Sequence, residues 1–167
     1  MDTERLTIRL LRQADWRDLQ KIAMDFRKSE YSVYDMPLPL EDEKIKKITC
    51  AFSESKLFYA VFLKKIMIGY ICFHNNGGIY DIGYCFLSAF QHQGYAFESC
   101  CAVLKEVEKS HHVKRFTAGS ALKNIPSLKL LGKLGFVLKK TETLSFCKDK
   151  NGNDIVFEGG VFEKCVG

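Results

Sequence analysis

Ile79-Tyr80-Asp81-Ile82-Gly83-Tyr84-Cys85-Phe86-Leu87, followed by Ser88-Ala89-Phe90-Gln91-His92-Gln93-Gly94-Tyr95-Ala96, decides how the rest of the chain is read. The first nine residues form a nearly continuous apolar run with one acid, Asp81, which predicts a core strand. The segment from Gly94 to Ser110 has helical periodicity. Ala96, Phe97, Cys100, Cys101, Val103, Leu104 and Val107 are expected on its apolar face, and Glu98, Ser99, Lys105, Glu106 and Lys109 on the other. A strand thus feeds a helix through a loop that carries a glycine at the helix entrance. Such an entrance offers unpaired N–H groups and about half a unit of positive charge, which suits a phosphate or diphosphate. No G-K-[ST] follows, so the loop is not a Walker A; the three-glycine dinucleotide fingerprint is absent too. A plain strand-to-helix connector is the alternative.

Outward from this stretch the elements alternate. Before it come a short strand at Thr7–Leu11, a helix from Asp15 to about Lys28 and a Pro- and Tyr-containing loop from Tyr31 to Pro39. A helix at Glu41–Phe52 and two strands, Leu57–Leu63 and Ile66–His74, follow. After it come a strand at Lys114–Gly119, a helix at Asn124–Lys133 ended by Gly135, and strands at Phe136–Cys147 and Asp154–Phe162. Asn151-Gly152 between these last two predicts a type I′ turn. The order predicts an α+β fold, a mixed α/β sandwich with helices on both faces of one sheet.

The 167 residues suit a single domain, 1–167. Apolar residues at 47% and charged residues at 27% exclude a disordered chain. Seven cysteines, an odd number with Cys100 and Cys101 adjacent and no C-x-x-C, form neither a disulfide framework nor a zinc pattern. They read as small apolar residues in a reducing compartment. The N-terminus lacks an apolar signal segment, and no apolar run approaches the ~20 residues of a membrane span, so a cytoplasmic protein is expected. The net charge of +5 suits anionic small molecules as readily as nucleic acid. No basic stripe interleaved with aromatics accompanies it, so nucleic acid is not the expected partner.

Gln91-His92-Gln93-Gly94-Tyr95-Ala96 resembles the Q/R-x-x-G-x-G/A motif of the GNAT superfamily, the Gcn5-related N-acetyltransferases. Tyr80-Asp81-Ile82-Gly83-Tyr84 resembles that superfamily's E-I-G-Y strand. Asn124-Ile125-Pro126-Ser127 with Lys133-Leu134-Gly135-Phe136 resembles its N-x-x-S and K-L-G-F segment. Glu4-Arg5-Leu6-Thr7-Ile8-Arg9, with Asp15 after it, matches the opening of the branch that includes ribosomal-protein N-terminal acetyltransferases of RimJ/RimL type. The motifs follow the expected order over most of the chain.

The resemblance implies a mostly antiparallel sheet of about seven strands, splayed between the Ile79–Leu87 and Lys114–Gly119 strands to admit acetyl-CoA. It places the diphosphate on the N–H groups of Gln93, Gly94, Tyr95 and Ala96, with Gln91 opening the motif. Pantetheine would pair with main chain near Phe86 and Leu87 and be held by Asn124. A backbone N–H on a bulged core strand would serve the oxyanion. Asp81 stands where the family has Glu and is the candidate base for an amine acceptor, a protein α-amino group or a small amine. The family's tyrosine acid is replaced by Leu128, Leu130 or Leu131, which leaves Ser127 for the thiolate side. Asn124 is equally a good helix N-cap, with Pro126 in the first turn. Cys85 reads as core packing, since no adjacent base marks it as a nucleophile. The Tyr31–Pro39 loop, with Tyr34 and Met36, would line the acceptor side. No metal-ligand spacing appears. Monomer and homodimer stay open, as do two other functions: a non-catalytic acetyl-CoA-binding module and a ribosome- or RNA-associated protein.

Overall fold

Alternation and turn chemistry generate seven strands, and the computed structural model, which describes residues 1–166, pairs them into one sheet. The elements are β1 (Thr7–Leu10), α1 (Trp16–Phe26), α2 (Asp42–Ser55), β2 (Phe58–Leu63), β3 (Ile66–Asn76) and β4 (Ile79–Phe86). They continue with α3 (Tyr95–His111), β5 (Arg115–Ala121), α4 (Ile125–Lys133), β6 (Val137–Lys148) and β7 (Asp154–Cys165). Short 3-10 turns occupy Gln13–Asp15, Glu30–Tyr34 and Ser88–Phe90. The strand order is β1-β2-β3-β4-β5-β7-β6, antiparallel throughout except between β4 and β5. This is the α+β architecture expected.

Both faces of the central strands are covered, which is why β2 reads as an unbroken apolar run and β4 as one with a single acid, Asp81. On one face Leu19 and Ile22 of α1 and Ile45 of α2 pack on Phe58, Ala60 and Met67. On the other, Cys100, Val103 and Val107 of α3 and Leu131 of α4 pack on Tyr59, Ile71, Phe73, Ile82 and Phe116. Two residues of α3 differ from the periodic expectation. Ser99 is fully buried while Phe97 is 40% exposed. The Ser99 hydroxyl donates to the Tyr95 carbonyl at 2.7 Å, so a small self-satisfied side chain sits where α3 meets the core.

The β6–β7 connection also differs. Only Gly152 has a left-handed φ, +81°. The Gly152 N–H donates to the Asp149 carbonyl, and the Asp149 carboxylate accepts from the N–H groups of Asn151 and Asn153. A type I turn followed by a left-handed glycine results, because the loop is longer than the two residues a type I′ turn spans. None of the helices described is long and apolar enough to cross a membrane.

The first strand is tied to the turn that leads into α1 by a partly buried ion pair. Arg9 donates two hydrogen bonds to Asp15, at 2.7 and 2.8 Å, and the Arg12 N–H adds a third at 2.8 Å. Burial alone would push the Asp15 carboxyl up; these donors outweigh it and hold the carboxyl below its ordinary range. A depressed folded-state value means that the contribution is complete above the unfolded value and lost as pH falls through the folded one. Asp15→Asn is therefore expected to cost about 2 kcal/mol at neutral pH. Below about pH 4 the wild-type advantage fades. Urea midpoints of the two proteins measured from pH 7 to pH 3 should converge; parallel curves would count against the pair.

Candidate active site

The sheet forks at its centre. β4 and β5 pair only at Tyr80–Phe116 and Asp81–Thr117. Beyond that point β5 stays with β7 as far as Ala121–Gly159, and β4 stays with β3 as far as Phe86–Gly69. The β3–β4 register has no shift, so the expected bulge in the core strand is absent; the opening comes from the divergence of β5 with β7. Leu87 donates its N–H to the Ile68 carbonyl at 2.8 Å, and its carbonyl accepts from the Phe90 N–H. Main-chain direction alternates along an antiparallel ladder, so Tyr84 and Phe86 present theirs to the fork. Leu87, expected to pair with a ligand there, has both main-chain groups committed. The Phe86 carbonyl already accepts from Gln91 Nε2 at 2.9 Å, which leaves its N–H free for the fork.

The loop beyond β4 is braced from inside. The Ser88 N–H and hydroxyl both donate to the Asp25 carboxylate, at 2.7 and 2.9 Å. Gln93 Nε2 donates to the Ala89 carbonyl at 3.0 Å. The two glutamines of the motif thus use their side chains to shape the loop. His92 (φ +60°) and Gly94 (φ +83°) are left-handed and turn the chain into α3. The N–H groups of Gln93, Gly94, Tyr95 and Ala96 find no acceptor among the described residues. A loop of this shape gathers N–H groups into an anion-binding concavity. Arg5 lies against it. Its guanidinium donates to Glu98 at 2.7 Å and to the Gln93 carbonyl at 3.0 Å, and it stacks on Tyr95 at 4.5 Å. The pair with Arg5 neutralises the carboxylate in the first turn of α3 that would otherwise repel an anion. Phe86, Ser88 and Gln91 line a cleft of about 340 Å³ that opens between this loop and the end of α1.

Asp81 stands at the root of the fork, where the Thr117 hydroxyl donates to Oδ1 at 2.7 Å. Three residues along β4, Tyr84 lies on the other face and its hydroxyl is 2.9 Å from Ser127 Oγ. Ser127 occupies the first turn of α4, where its N–H donates to Asn124 Oδ1 at 3.3 Å. Asn124 is thus an N-cap, and its amide nitrogen remains for another partner. An acid and a hydroxyl pair therefore flank the fork from opposite faces of β4. Leu131 is buried in the core and Leu128 and Leu130 pack against it, so none of the three leucines that stand in place of the family's tyrosine offers a polar group, and Ser127 is the hydroxyl that α4 brings to the fork.

Cys85 faces α1, and burial pushes its thiol up to about 12. A thiol that keeps its proton is a poor nucleophile. Cys85, Tyr70, Asp35 and Met36 line a second, small cavity of about 30 Å³ beside the fork. Tyr34, expected to line the same side, packs its ring against Phe157 of β7 at a tilt of 60°, with centroids 5.0 Å apart. Sequence reasoning gave Tyr84 and Arg5 no role. Tyr84 and Ser127, 43 positions apart, and Arg5 and Glu98, 93 positions apart, meet only in the fold.

A family model described as an acetyltransferase (GNAT) domain matches residues 5–137. The chain is 28% identical over 136 residues to the uncharacterized N-acetyltransferase YnaD of Bacillus subtilis, with 80% of this chain and 79% of that protein covered. Among solved structures it resembles the ribosomal-protein-S5-alanine acetyltransferase of Vibrio fischeri, with a TM-score of 0.83 at 17% identity, covering 99% of this chain and 95% of that one. It also resembles YncA of Salmonella typhimurium, a putative acetyltransferase solved with its cofactor acetyl-CoA. That match has a TM-score of 0.74 at 15% identity and covers 98% and 95% of the two chains.

Proposed function

The chain belongs to the GNAT family of N-acetyltransferases, and on that premise we propose that residues 1–167 form one catalytic domain that moves an acetyl group from acetyl-CoA directly to a primary amine. The observation that carries this reading is the fork in the sheet, with a cradle of free N–H groups at one end and Asp81 at its root. The diphosphate rests on the N–H groups of Gln93, Gly94, Tyr95 and Ala96. Pantetheine runs into the fork as a short extra strand beside Tyr84 and Phe86, where Asn124 offers its amide nitrogen. Gln91 and Leu87 contribute by shaping the loop.

The acceptor approaches from the α1 side, where Asp35 lines the small cavity beside Cys85. A carboxylate there suits an ammonium group. Asp81 takes the ammonium proton through water, and the freed amine attacks the thioester carbonyl. Holding the two reactants in line supplies much of the rate. The Ser127 hydroxyl serves the departing sulphur. The acceptor class spans protein N-termini and small amines; the likeness to an S5-alanine acetyltransferase favours testing N-terminal peptides first.

Acetyl-CoA at about a hundred times its Kd should stabilise the protein by about 2.7 kcal/mol. For a chain of this size that raises Tm by roughly 5–10 °C. Thiol release is then measured with alanine- and serine-initiated peptides and with small amines. No Tm shift up to millimolar acetyl-CoA would overturn the cofactor reading. A shift with no thiol release for any acceptor would favour the non-catalytic binding module.

A further inference from the structure

We propose that Tyr84 is a positioning residue for the leaving group: its hydroxyl donates to Ser127 Oγ and thereby turns the Ser127 O–H into the fork, onto the sulphur of bound coenzyme A. The inference rests on the acetyl-CoA reading of the fork given above.

Two side-chain hydrogen bonds join β4 to the elements across the opening, Asp81 with Thr117 and Tyr84 with Ser127. The first closes the root of the fork. The second lies farther out, where β4 and β5 no longer pair. Either hydroxyl of this second contact can donate across its 2.9 Å; we take the tyrosine as donor, because a phenol oxygen, its lone pair drawn into the ring, is the poorer acceptor of the two. The Tyr84 ring packs against the apolar core. A serine oxygen that accepts one hydrogen bond has a single hydrogen left to direct. The Ser127 N–H is already fixed on Asn124. No acceptor for the Ser127 hydroxyl appears among the described residues other than Tyr84, so its hydrogen is available to the fork.

The chemistry needs such a donor. As the tetrahedral intermediate collapses, the C–N bond has formed, the C–S bond breaks and its electron pair goes to sulphur. The ammonium proton has gone to Asp81 by way of water before the attack, and the second proton, carried by the nitrogen of the tetrahedral intermediate, passes to solvent water as the C–S bond breaks. Negative charge therefore appears on sulphur alone, and a hydroxyl already aimed at it stabilises that charge without reorganising. The thiolate takes a proton from water after the products separate. Tyr84 and Ser127 each end the turnover with the proton they began with.

The test reads the thiol directly and needs no acceptor. The ultraviolet absorbance of the coenzyme A thiolate is titrated on the protein, and the same titration with desulfo-coenzyme A subtracts the protein's own tyrosines. Wild type is expected to ionise bound coenzyme A about one pH unit below Tyr84→Phe, a ten-fold change in the thiolate equilibrium. Ser127→Ala should shift the midpoint at least as far, and the double variant should match Ser127→Ala because Tyr84 acts only through the serine. A Tyr84→Phe midpoint equal to wild type overturns the inference. So does a further shift in the double variant. Should Tyr84→Phe not fold, Ser127→Ala carries the test, and a wild-type midpoint there overturns the inference equally. Desulfo-coenzyme A binding to wild type separates the two levels: if it fails, the cofactor reading falls and takes this inference with it.

Discussion

Gly94→Glu is expected to weaken acetyl-CoA binding by about a thousand-fold. With the diphosphate on this loop as proposed, a carboxylate here would meet it at close range, and two like unit charges at about 4 Å repel by about 4 kcal/mol at an effective dielectric of 20. Backbone strain adds a separate effect. Gly94 has φ +83°, and a Cβ built there meets Arg5 Nη2 at 3.2 Å. A left-handed L-residue costs roughly 1–2 kcal/mol, so some loss of stability accompanies any substitution. Gly94→Ala carries that strain without the charge, and Gly94→Lys carries strain and bulk with the opposite charge. Calorimetry with acetyl-CoA should rank affinity as wild type, then Ala and Lys, then Glu far below. Equal losses in all three variants would trace the effect to the backbone. Unchanged affinity in Glu would reduce the loop to a connector.

Local chemistry made most of the fold readable and left the meeting points of distant residues unread. Strands with apolar alternation or apolar runs and the Asn124 cap each depend on neighbours within a few residues, and each element appears close to where the sequence puts it. The fork was implied by resemblance alone, because it depends on β5 choosing β7 over β4 after Thr117. The same holds for the site. The N–H cradle follows from a glycine at a helix entrance, a local feature. The commitment of Leu87 to Ile68 and Phe90, the internal use of Gln91 and Gln93, and the Arg5–Glu98 clasp depend on contacts that no periodicity encodes. Ser99 and Phe97 exchanged their expected environments for a related reason. A helical wheel gives the direction of a residue but not the tilt with which α3 meets the sheet.

Asp81→Asn is expected to lower turnover by about 100- to 10,000-fold, the usual cost of losing a general base, while acetyl-CoA affinity stays nearly constant. The fold should tolerate the change, because the Asn side-chain oxygen accepts the Thr117 hydroxyl as the Asp Oδ1 does at 2.7 Å. What the amide cannot do is take a proton. An amine acceptor is an ammonium ion at neutral pH and must be deprotonated before it attacks. On the proposed mechanism Asp81 and a water supply that step in wild type, and in the variant the reaction waits for the small fraction of free amine. That fraction grows ten-fold per pH unit until the amine's own pKa is reached, so the deficit of Asp81→Asn should shrink as pH rises. Asp81→Glu lengthens the side chain at the root of the fork and should keep substantial activity if the bridging water readjusts. The measurement is a pH–rate profile of the three proteins with one identified amine. A profile for Asp81→Asn that overlays wild type at every pH would leave Asp81 as the clasp of Thr117 and move the base to bulk water. A constant deficit, independent of pH, would assign Asp81 to placing the acceptor, since an electrostatic hold on the ammonium does not weaken while the amine remains protonated.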